Sequence, residues 1–246
     1  MTPKDRRTLS LILGLLAGVC IAAGSLFLRV LPIRPASANA GSLPQRPVIL
    51  IDPGHGGMDG GAVGVDGLVE KDLNLQISLI LRDLFLANGF EVYMTRETDC
   101  SIEDPGLSTI RAKKVSDMKN RRALMESHPD GIFLSIHQNL FSQSKYSGAQ
   151  MFFSPNHPAS AHLAKTLQST LREMLNPANT RVEKQAGKEL YLLYHAQIPA
   201  VLVECGFLSN PEEAALLQDS DYQAKVAFAI FCGVLEAYRS PAEAPL

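Results

Sequence analysis

Three short, almost entirely apolar runs constrain the fold of this chain more than any other feature of its sequence. The runs cover residues 48–51 (VILI), 132–136 (IFLSI) and 200–203 (AVLV), and a polar residue follows each of them directly. A run of this kind predicts a strand buried on both faces, because a half-buried strand would alternate apolar and polar residues. Strands buried on both faces are typical of parallel sheets covered by helices. We therefore expect an α/β domain.

Helical patterns separate these runs and complete the predicted domain. Between residues 68 and 86, apolar residues recur every three or four positions, as on one face of an amphipathic helix. Further helices are predicted at 119–126, 160–175 and 221–238, and further strands at 90–94, 149–153 and, at an edge, 190–194. This alternation predicts a three-layer α/β domain at residues 47–240, with a mostly parallel central sheet of about six strands flanked by helices.

The polar stretch at residues 95–117 is longer than an ordinary connection and has no sustained periodicity. Loops of this length are often functional. A solvated surface insertion is the alternative interpretation, and the sequence leaves both open.

The first 40 residues are predicted to lie outside this domain. Lys4, Arg6 and Arg7 precede an uncharged run at residues 9–28, which as a helix would span about 30 Å, the thickness of a membrane core. Basic residues before such a run keep its start in the cytoplasm, so we expect an extracytoplasmic protein, either membrane-anchored or secreted. Residues 1–40 are then a signal peptide or a membrane anchor with its tether, residues 41–46 a linker and residues 241–246 a tail.

The charge of the chain argues against a nucleic-acid partner. The whole sequence contains 23 Lys and Arg against 25 Asp and Glu. The first 40 residues hold five basic residues and one acidic residue, which leaves 18 basic against 24 acidic residues beyond them. A domain with this acidic balance lacks the basic surface that binds a phosphate backbone.

Metal-capable side chains follow the predicted strands at the edge where open α/β sheets bind their ligands. His55 comes after the first strand, His137 ends the second and Glu204 follows the last, while Glu70 opens the first helix near the same edge. Two histidines and a carboxylate are a ligand set of a catalytic zinc ion, with one position left for water. Taken singly, each residue is more typical of a structural role. Together, His55, Glu70 and His137 predict one zinc ion per chain.

Glu204 is predicted to be the catalytic residue. A water activated by a metal needs a nearby carboxylate that accepts its proton and passes it to the leaving nitrogen. Two alternatives stay open. As a fourth ligand Glu204 would make the zinc structural, and as a loop cap it would need a partner for a carboxylate among apolar neighbours.

Four segments resemble the zinc-dependent N-acetylmuramoyl-L-alanine amidases, the type-3 amidases of bacterial cell walls. The segments are IDPGHGGMDGGAVG at 51–64, LVEKDLNLQIS at 68–78, SIHQN at 135–139 and PAVLVECGFLSNPEEAALL at 199–217. The resemblance implies a hydrolase that cleaves the amide between N-acetylmuramic acid and L-alanine in peptidoglycan. It also implies that His55, Glu70 and His137 bind zinc and that Glu204 is catalytic, the same roles that the residue chemistry suggests.

Within this family, the chain is most similar to the germination-specific spore cortex amidases of Firmicutes. This resemblance implies removal of stem peptides as the first step of muramic-lactam formation in spore cortex. An activating lipoprotein is an expected partner. Gln138 departs from the family, in which small residues are common at this position, and we expect it to narrow the substrate groove or alter its reach.

Two more residues are candidates for substrate binding. Asn139, two residues beyond His137, would orient the substrate or its oxyanion, or else cap a loop. Arg96 would hold a peptide carboxylate, or else pair with Glu97 or Asp99.

Two other functions compete with the amidase interpretation. The first is a zinc peptidase acting on wall peptides, and the second is a non-catalytic wall-binding protein. The complete ligand set argues against the second, because a degenerate relative typically loses a ligand or the catalytic glutamate first.

Overall fold

The computed structural model describes residues 46–240, which form a six-stranded sheet with helices on both faces. The strands are β1 (Val48–Pro53), β2 (Val92–Met94), β3 (Gly131–Asn139), β4 (Gln150–Phe153), β5 (Lys184–Gln185) and β6 (Ala200–Phe207). The helices are α1 (Glu70–Ala87), α2 (Ile110–Glu126), α3 (Pro158–Leu175), α4 (Tyr191–His195), α5 (Pro211–Gln218) and α6 (Ser220–Arg239). The strand order is β2-β1-β3-β6-β4-β5, so the three apolar runs lie side by side at the centre. The predicted α/β domain with about six strands is confirmed.

The sheet is mixed, which corrects the expectation of a mostly parallel sheet. Strands β2, β1, β3 and β6 are parallel neighbours. Strand β4 pairs antiparallel with β6, and β5 runs parallel to β4. The connection from β3 to β4 contains no helix, so the chain re-enters the sheet from the end at which it left, and β4 runs in the opposite direction.

Alternating residues of the central strands face two separate apolar layers. Ile51, Leu134 and Val203 face the larger layer, which α1, α3 and α6 cover. Leu50, Phe133 and Leu202 face a smaller layer, which contains Met125 of α2 and Leu192 and Leu193 of α4. Successive side chains of a strand point to opposite faces, so strands that are apolar throughout need cover on both sides. The helices supply this cover, as expected of a three-layer domain.

Two predicted elements differ in the structure, and one helix was missed. The segment 190–194, predicted as an edge strand, forms the short helix α4, and the edge strand is β5. Helix α2 begins at Ile110 rather than at residue 119, so it occupies part of the polar stretch. Its buried face contains Ser116, Arg121 and Met125 and therefore shows no apolar period. The eight-residue helix α5 was not predicted, since its pattern is too short to stand out.

The predicted membrane segment and its tether lie outside the described residues, as does the tail at 241–246. Within residues 46–240, no helix has the length and apolar character needed to cross a membrane. The three cysteines of this part of the chain, Cys100, Cys205 and Cys232, are unpaired within the described residues.

Candidate active site

The loop after β1 presents His55 in a left-handed conformation. His55 has a φ of 62°, and the two glycines that follow have φ values of 131° and 57°. A positive φ is unfavourable for a residue with a side chain, so neighbouring contacts must hold it. Arg121 donates a hydrogen bond to the carbonyl of His55 at 2.7 Å, and Arg96 donates to the carbonyl of Gly54 at 3.0 Å. Two buried guanidinium groups therefore pin this loop.

The carboxylate of Glu70 lies between two histidines. Its Oε2 is 3.3 Å from Nε2 of His55, and its Oε1 is 2.9 Å from Nδ1 of His137. The main-chain N–H groups of Ala62 and Gln138 also donate to this carboxylate, at 2.8 and 3.1 Å. Burial alone would raise the pKa of Glu70, but the hydrogen bonds from His137 and His55 hold it well below its usual value. Glu70 is therefore a buried, negatively charged group.

Close backbone packing brings the rings of His55 and His137 to a centroid separation of 5.0 Å. A Cβ atom at Gly54 would lie 2.3 Å from the ring of His137, and a Cβ atom at Gly61 would lie 2.6 Å from Oε2 of Glu70. A side chain at either position would collide with these groups. The glycines on either side of His55 thus leave room for the functional side chains.

Glu204 lies on the strand next to His137. The two residues are paired in the register of β3 and β6, so their side chains are on the same face of the sheet. The Oε2 atom of Glu204 is buried and has no hydrogen-bond partner within residues 46–240. Burial raises the pKa of Glu204 to about 7, although the nearby His137 acts in the opposite direction. This carboxyl group can therefore exchange a proton near neutral pH.

A cavity of about 210 Å³ opens beside His55 and His137. Its lining includes Asp52 and Ser135 from the strands and Met118 from α2. The lining also includes the segment 189–193, which contains most of α4. Since Ser135 and His137 alternate to the same side of β3, the cavity lies on the face that carries Glu204. It has room for part of a ligand next to the histidines.

The three clustered side chains have the composition and spacing of a metal site. One ligand atom from each of His55, Glu70 and His137 lies within 4.8 Å of the other two. Two ring nitrogens and a carboxylate oxygen suit a zinc ion. Asp59 contacts the second ring nitrogen of His55 at 3.1 Å, as carboxylates do for many metal-binding histidines. The unpaired carboxylate oxygen of Glu204 stands beside this cluster, so the residues fit a catalytic metal ion.

Comparison with known proteins assigns the domain to a family. The family described as N-acetylmuramoyl-L-alanine amidase matches residues 49–236, a span that contains His55, Glu70, His137 and Glu204. The chain belongs to this amidase family. The resemblance found in its motifs is confirmed.

Three relatives are each matched over most of their own length. The chain is 37% identical to the germination-specific N-acetylmuramoyl-L-alanine amidase of Bacillus subtilis (strain 168) over 198 residues, 80% of this chain and 82% of that protein. The solved structure of the CwlD amidase from Clostridioides difficile, in complex with the GerS lipoprotein, has 41% identity and a TM-score of 0.76, covering 79% of this chain and 99% of that chain. AmiC2 of Nostoc punctiforme has 27% identity and a TM-score of 0.67, covering 78% and 97%. The protein is a peptidoglycan N-acetylmuramoyl-L-alanine amidase.

The amidase structure brings together His55, Glu70 and His137, and it places Glu204 beside them. Asn139 ends β3, is half-buried, and accepts a hydrogen bond from the N–H of Leu208 on its main-chain carbonyl. Asn139 stays a candidate for substrate binding.

Arg96 does not have the position expected of a substrate-binding residue. Its side chain is 3% exposed, and it donates to the main-chain carbonyls of Pro53, Gly54 and Lys71 at 2.7 to 3.0 Å. The donors that would hold a substrate carboxylate are therefore occupied by the loop. In place of the expected substrate contact, Arg96 holds the loop that carries His55.

Gln138 also differs from expectation. It is 3% exposed and does not line the cavity, because strand alternation turns it to the face opposite His137. Its Nε2 donates to Asn74 of α1 at 3.2 Å. The expectation that Gln138 narrows the groove is therefore wrong.

Several residues that support the site were not singled out in the sequence. Asn74 lies one turn after Glu70 on α1 and Asp59 lies four residues after His55, so both spacings were available as signals. The ion pair between Asp52 and Arg121 spans 69 residues, and no local pattern connects its partners.

Proposed function

We propose that this amidase holds one zinc ion with His55, Glu70 and His137 and uses Glu204 to move protons during cleavage. The bond cleaved is the amide between N-acetylmuramic acid and the L-alanine of the stem peptide. The observation that carries the proposal is the cluster of three ligand atoms within 4.8 Å, with the unpaired buried oxygen of Glu204 beside it.

Contacts from outside the ligand set hold the proposed ligands in place. Glu70 accepts hydrogen bonds from two main-chain N–H groups, and Asp59 contacts the outer nitrogen of His55. Such outer contacts orient metal ligands and favour the tautomer that binds. The chemistry that zinc supplies when bound is activation of water and polarisation of the amide carbonyl.

Glu204 is the residue that handles the proton in this proposal. Its Oε2 has no competing partner within residues 46–240, and its pKa of about 7 lets it both accept and release a proton near neutrality. Oε2 takes a proton from the attacking water and delivers it to the amide nitrogen of L-alanine, which leaves with the stem peptide. Asn139, two residues beyond His137, is proposed to contact the substrate next to the reacting amide.

Product analysis tests the reaction. The purified protein is incubated with isolated peptidoglycan, and the products are identified by mass spectrometry. The proposal requires intact stem peptides with a free L-alanine amino group and muramic acid without peptide. Shortened stems would indicate a peptidase, and unchanged peptidoglycan that retains the protein would indicate a wall-binding role.

Metal exchange tests the cofactor. Dialysis against a chelator is expected to abolish cleavage, and stoichiometric zinc is expected to restore it with one ion per chain. The variant His55→Ala should lose both zinc and activity. A chelated protein that remains fully active would refute the metal site.

We further propose that the substrate is spore cortex peptidoglycan and that stem removal is the first step of muramic-lactam formation. The supporting observations are the 37% identity to a germination-specific amidase and the similarity to CwlD, whose structure contains a lipoprotein. An activating lipoprotein is accordingly the proposed partner. The apolar run at residues 9–28 is proposed to place the enzyme outside the cytoplasm, as an anchor or as a signal peptide.

A direct comparison tests the substrate and the partner. Cleavage rates are measured on vegetative and cortex peptidoglycan, with and without a lipoprotein homologous to GerS. A higher rate on cortex material in the presence of the lipoprotein is expected. Equal rates on both materials would remove the cortex assignment and leave the amidase activity intact.

A further inference from the structure

A buried chain of carboxamides lies directly behind Glu70. Asn74, one turn further along α1, donates from Nδ2 to Oε1 of Glu70 at 3.3 Å. Gln138 of β3 donates from Nε2 to Oδ1 of Asn74 at 3.2 Å. The three side chains are 4%, 0% and 3% exposed, in the order Glu70, Asn74, Gln138. Water therefore does not compete for these hydrogen bonds.

The partners determine which way the carboxamide of Asn74 is turned. Its Nδ2 faces two acceptors, Oε1 of Glu70 and the carbonyl of Gly54, the latter at 3.2 Å. If the carboxamide were flipped, Oδ1 would face both acceptors and all the contacts would be repulsive. The donor of Gln138 opposes this flip, because it is matched to Oδ1 and would clash electrostatically with Nδ2. Asn74 in turn connects Glu70 to the loop that carries His55.

Gln138 also forms a direct hydrogen bond to the carboxylate of Glu70. Its main-chain N–H donates to Oε1 of Glu70 at 3.1 Å. Its side-chain Oε1, by contrast, is buried without a hydrogen-bond partner within residues 46–240. A buried unpaired oxygen is unfavourable, and a small apolar residue would avoid it. The side-chain donor of Gln138 serves Asn74, which is the contact that leads to the metal site, and the same carboxamide also lies beside the buried thiol of Cys205.

We infer that Gln138 is a positioning residue of the metal site. Acting through Asn74, it fixes the Glu70 carboxylate at the orientation in which one oxygen faces His55 and the other faces His137. Gln138 touches neither substrate nor metal. The inference rests on the proposed function of Glu70 as a zinc ligand.

The decisive variant is Gln138→Met, which keeps the length of the side chain and removes the donor. Zinc affinity is measured by competition with a chromogenic chelator. We expect the dissociation constant for zinc to rise about tenfold, the lower end of the range for residues outside the ligand shell. Turnover at saturating zinc should change much less, because the ligands themselves are intact.

Gln168→Met is the matched control. Gln168 is 1% exposed, accepts from the N–H of Met151 and donates to the carbonyl of Ala149, both at 3.0 Å, and it does not contact Glu70. This variant loses at least as much buried hydrogen bonding, so it should lower the unfolding temperature as much or more. Its zinc affinity should equal that of the parent protein. Equal weakening by the two variants would show a general effect of stability and overturn the inference.

A double-mutant cycle with Asn74→Ala tests the route of the effect. If Gln138 acts through Asn74, adding Gln138→Met to Asn74→Ala should change zinc affinity less than twofold. A further tenfold loss on going from Asn74→Ala to the double variant would overturn the inference. Gln138→Ala, which keeps the main-chain donor, replaces Gln138→Met in the cycle if the methionine variant does not fold.

The outcomes separate the inference from the proposed function. A parent protein that binds no zinc would refute the metal site itself. Tight zinc binding by the parent, with the same affinity in Gln138→Met, would refute only the positioning role of Gln138.

Discussion

The two faces of the sheet are held by different interactions. On one face, α1 buries Leu73, Ile77, Leu81 and Phe85 against the strands, and α3 and α6 complete a continuous apolar layer. On the other face, α2 buries only Ser116, Arg121 and Met125. Arg121 is bonded there to Asp52, to Asp117 and to the carbonyl of His55. Apolar burial thus dominates the first face, whereas the second combines a smaller apolar layer with charged and polar contacts around α2.

This difference shows where the amidase separates stability from function. The catalytic face needs a cavity, a left-handed histidine and an unpaired carboxylate, and none of these adds to stability. A buried ion pair such as Asp52–Arg121 also adds little net stability, yet removing one partner strongly destabilises the protein because the other charge stays buried. The apolar face must therefore supply most of the stabilisation that keeps the polar face in its strained arrangement.

The largest expected effect separates activity from stability on the catalytic face. Glu204→Gln should reduce amide cleavage by roughly 10²- to 10⁴-fold, because the group that accepts and delivers the proton is lost. Zinc content and the free energy of unfolding should not fall, since Oε2 has no partner to lose. Glu212→Gln, at an exposed position on α5, is the control. Retained turnover in Glu204→Gln would remove Glu204 from the mechanism.

The second prediction concerns a variant that disrupts the polar contacts of the second face. Arg121→Met leaves Asp52 buried without its partner and releases the carbonyl of His55, so it should destabilise the protein by about 3–5 kcal/mol. Urea denaturation measures this loss, and zinc affinity should fall with it. Arg122→Ala, which breaks a half-exposed pair with Glu126, should change stability by less than about 1 kcal/mol. Comparable effects of the two variants would contradict the importance assigned to the buried pair.

The third prediction concerns a variant that disrupts the apolar layer of the first face. Leu81→Ala should destabilise the protein by about 2–5 kcal/mol through lost apolar burial and the cavity that remains. Zinc affinity of the folded protein should be unchanged, because α1 still presents Glu70. Leu86→Ala, at a position that is 50% exposed, should have an effect within about 0.5 kcal/mol. A loss of zinc binding in folded Leu81→Ala would show that the two faces are not independent.

The smallest expected effect concerns pH. Burial would raise the pKa of Asp52, but Arg121 and the hydroxyl groups of Ser135 and Thr95 hold it below the usual value of 3.8. A depressed carboxyl pKa stabilises the folded state above the unfolded pKa, and this contribution is lost as the pH falls through the folded pKa. Asp52→Asn should therefore cost about 2–3 kcal/mol at pH 7 and progressively less below pH 4.

Unfolding free energies of Asp52→Asn and the parent protein at pH 7 and pH 3 measure this convergence. Asp83→Asn, with a side chain that is 65% exposed, should show the same small difference at both values. A constant difference between Asp52→Asn and the parent protein would mean that the charge of Asp52 is not what stabilises the fold.

The sequence predicted those parts of the fold that follow from local patterns. The apolar runs at 48–51, 132–136 and 200–203 are the three central strands, and the helix predicted at 68–86 is α1 at Glu70–Ala87. The start of α2 was missed because arginine and serine face the interior there. The direction of β4 was missed because a strand pattern is the same in both orientations.

The residues of the candidate site also divide into those whose positions the sequence predicted and those whose positions it did not. His55, His137 and Glu204 follow the central strands directly, and parallel strands end at one edge, so their proximity was predictable. The side chain of Arg96 turned inward to the carbonyls of the loop, a direction that no spacing in the sequence encodes.

By itself, the sequence determined the central strands, the first helix and the four chemical groups at the end of the sheet. These depend on periodicity and on short motifs, which act over a few residues. Only the tertiary structure decided that Arg121 holds His55, that Arg96 is buried and that Gln138 lies behind Glu70 rather than in the groove. Each of these depends on which donor meets which acceptor across 42 to 66 residues of chain, and the packing of the layers sets that match.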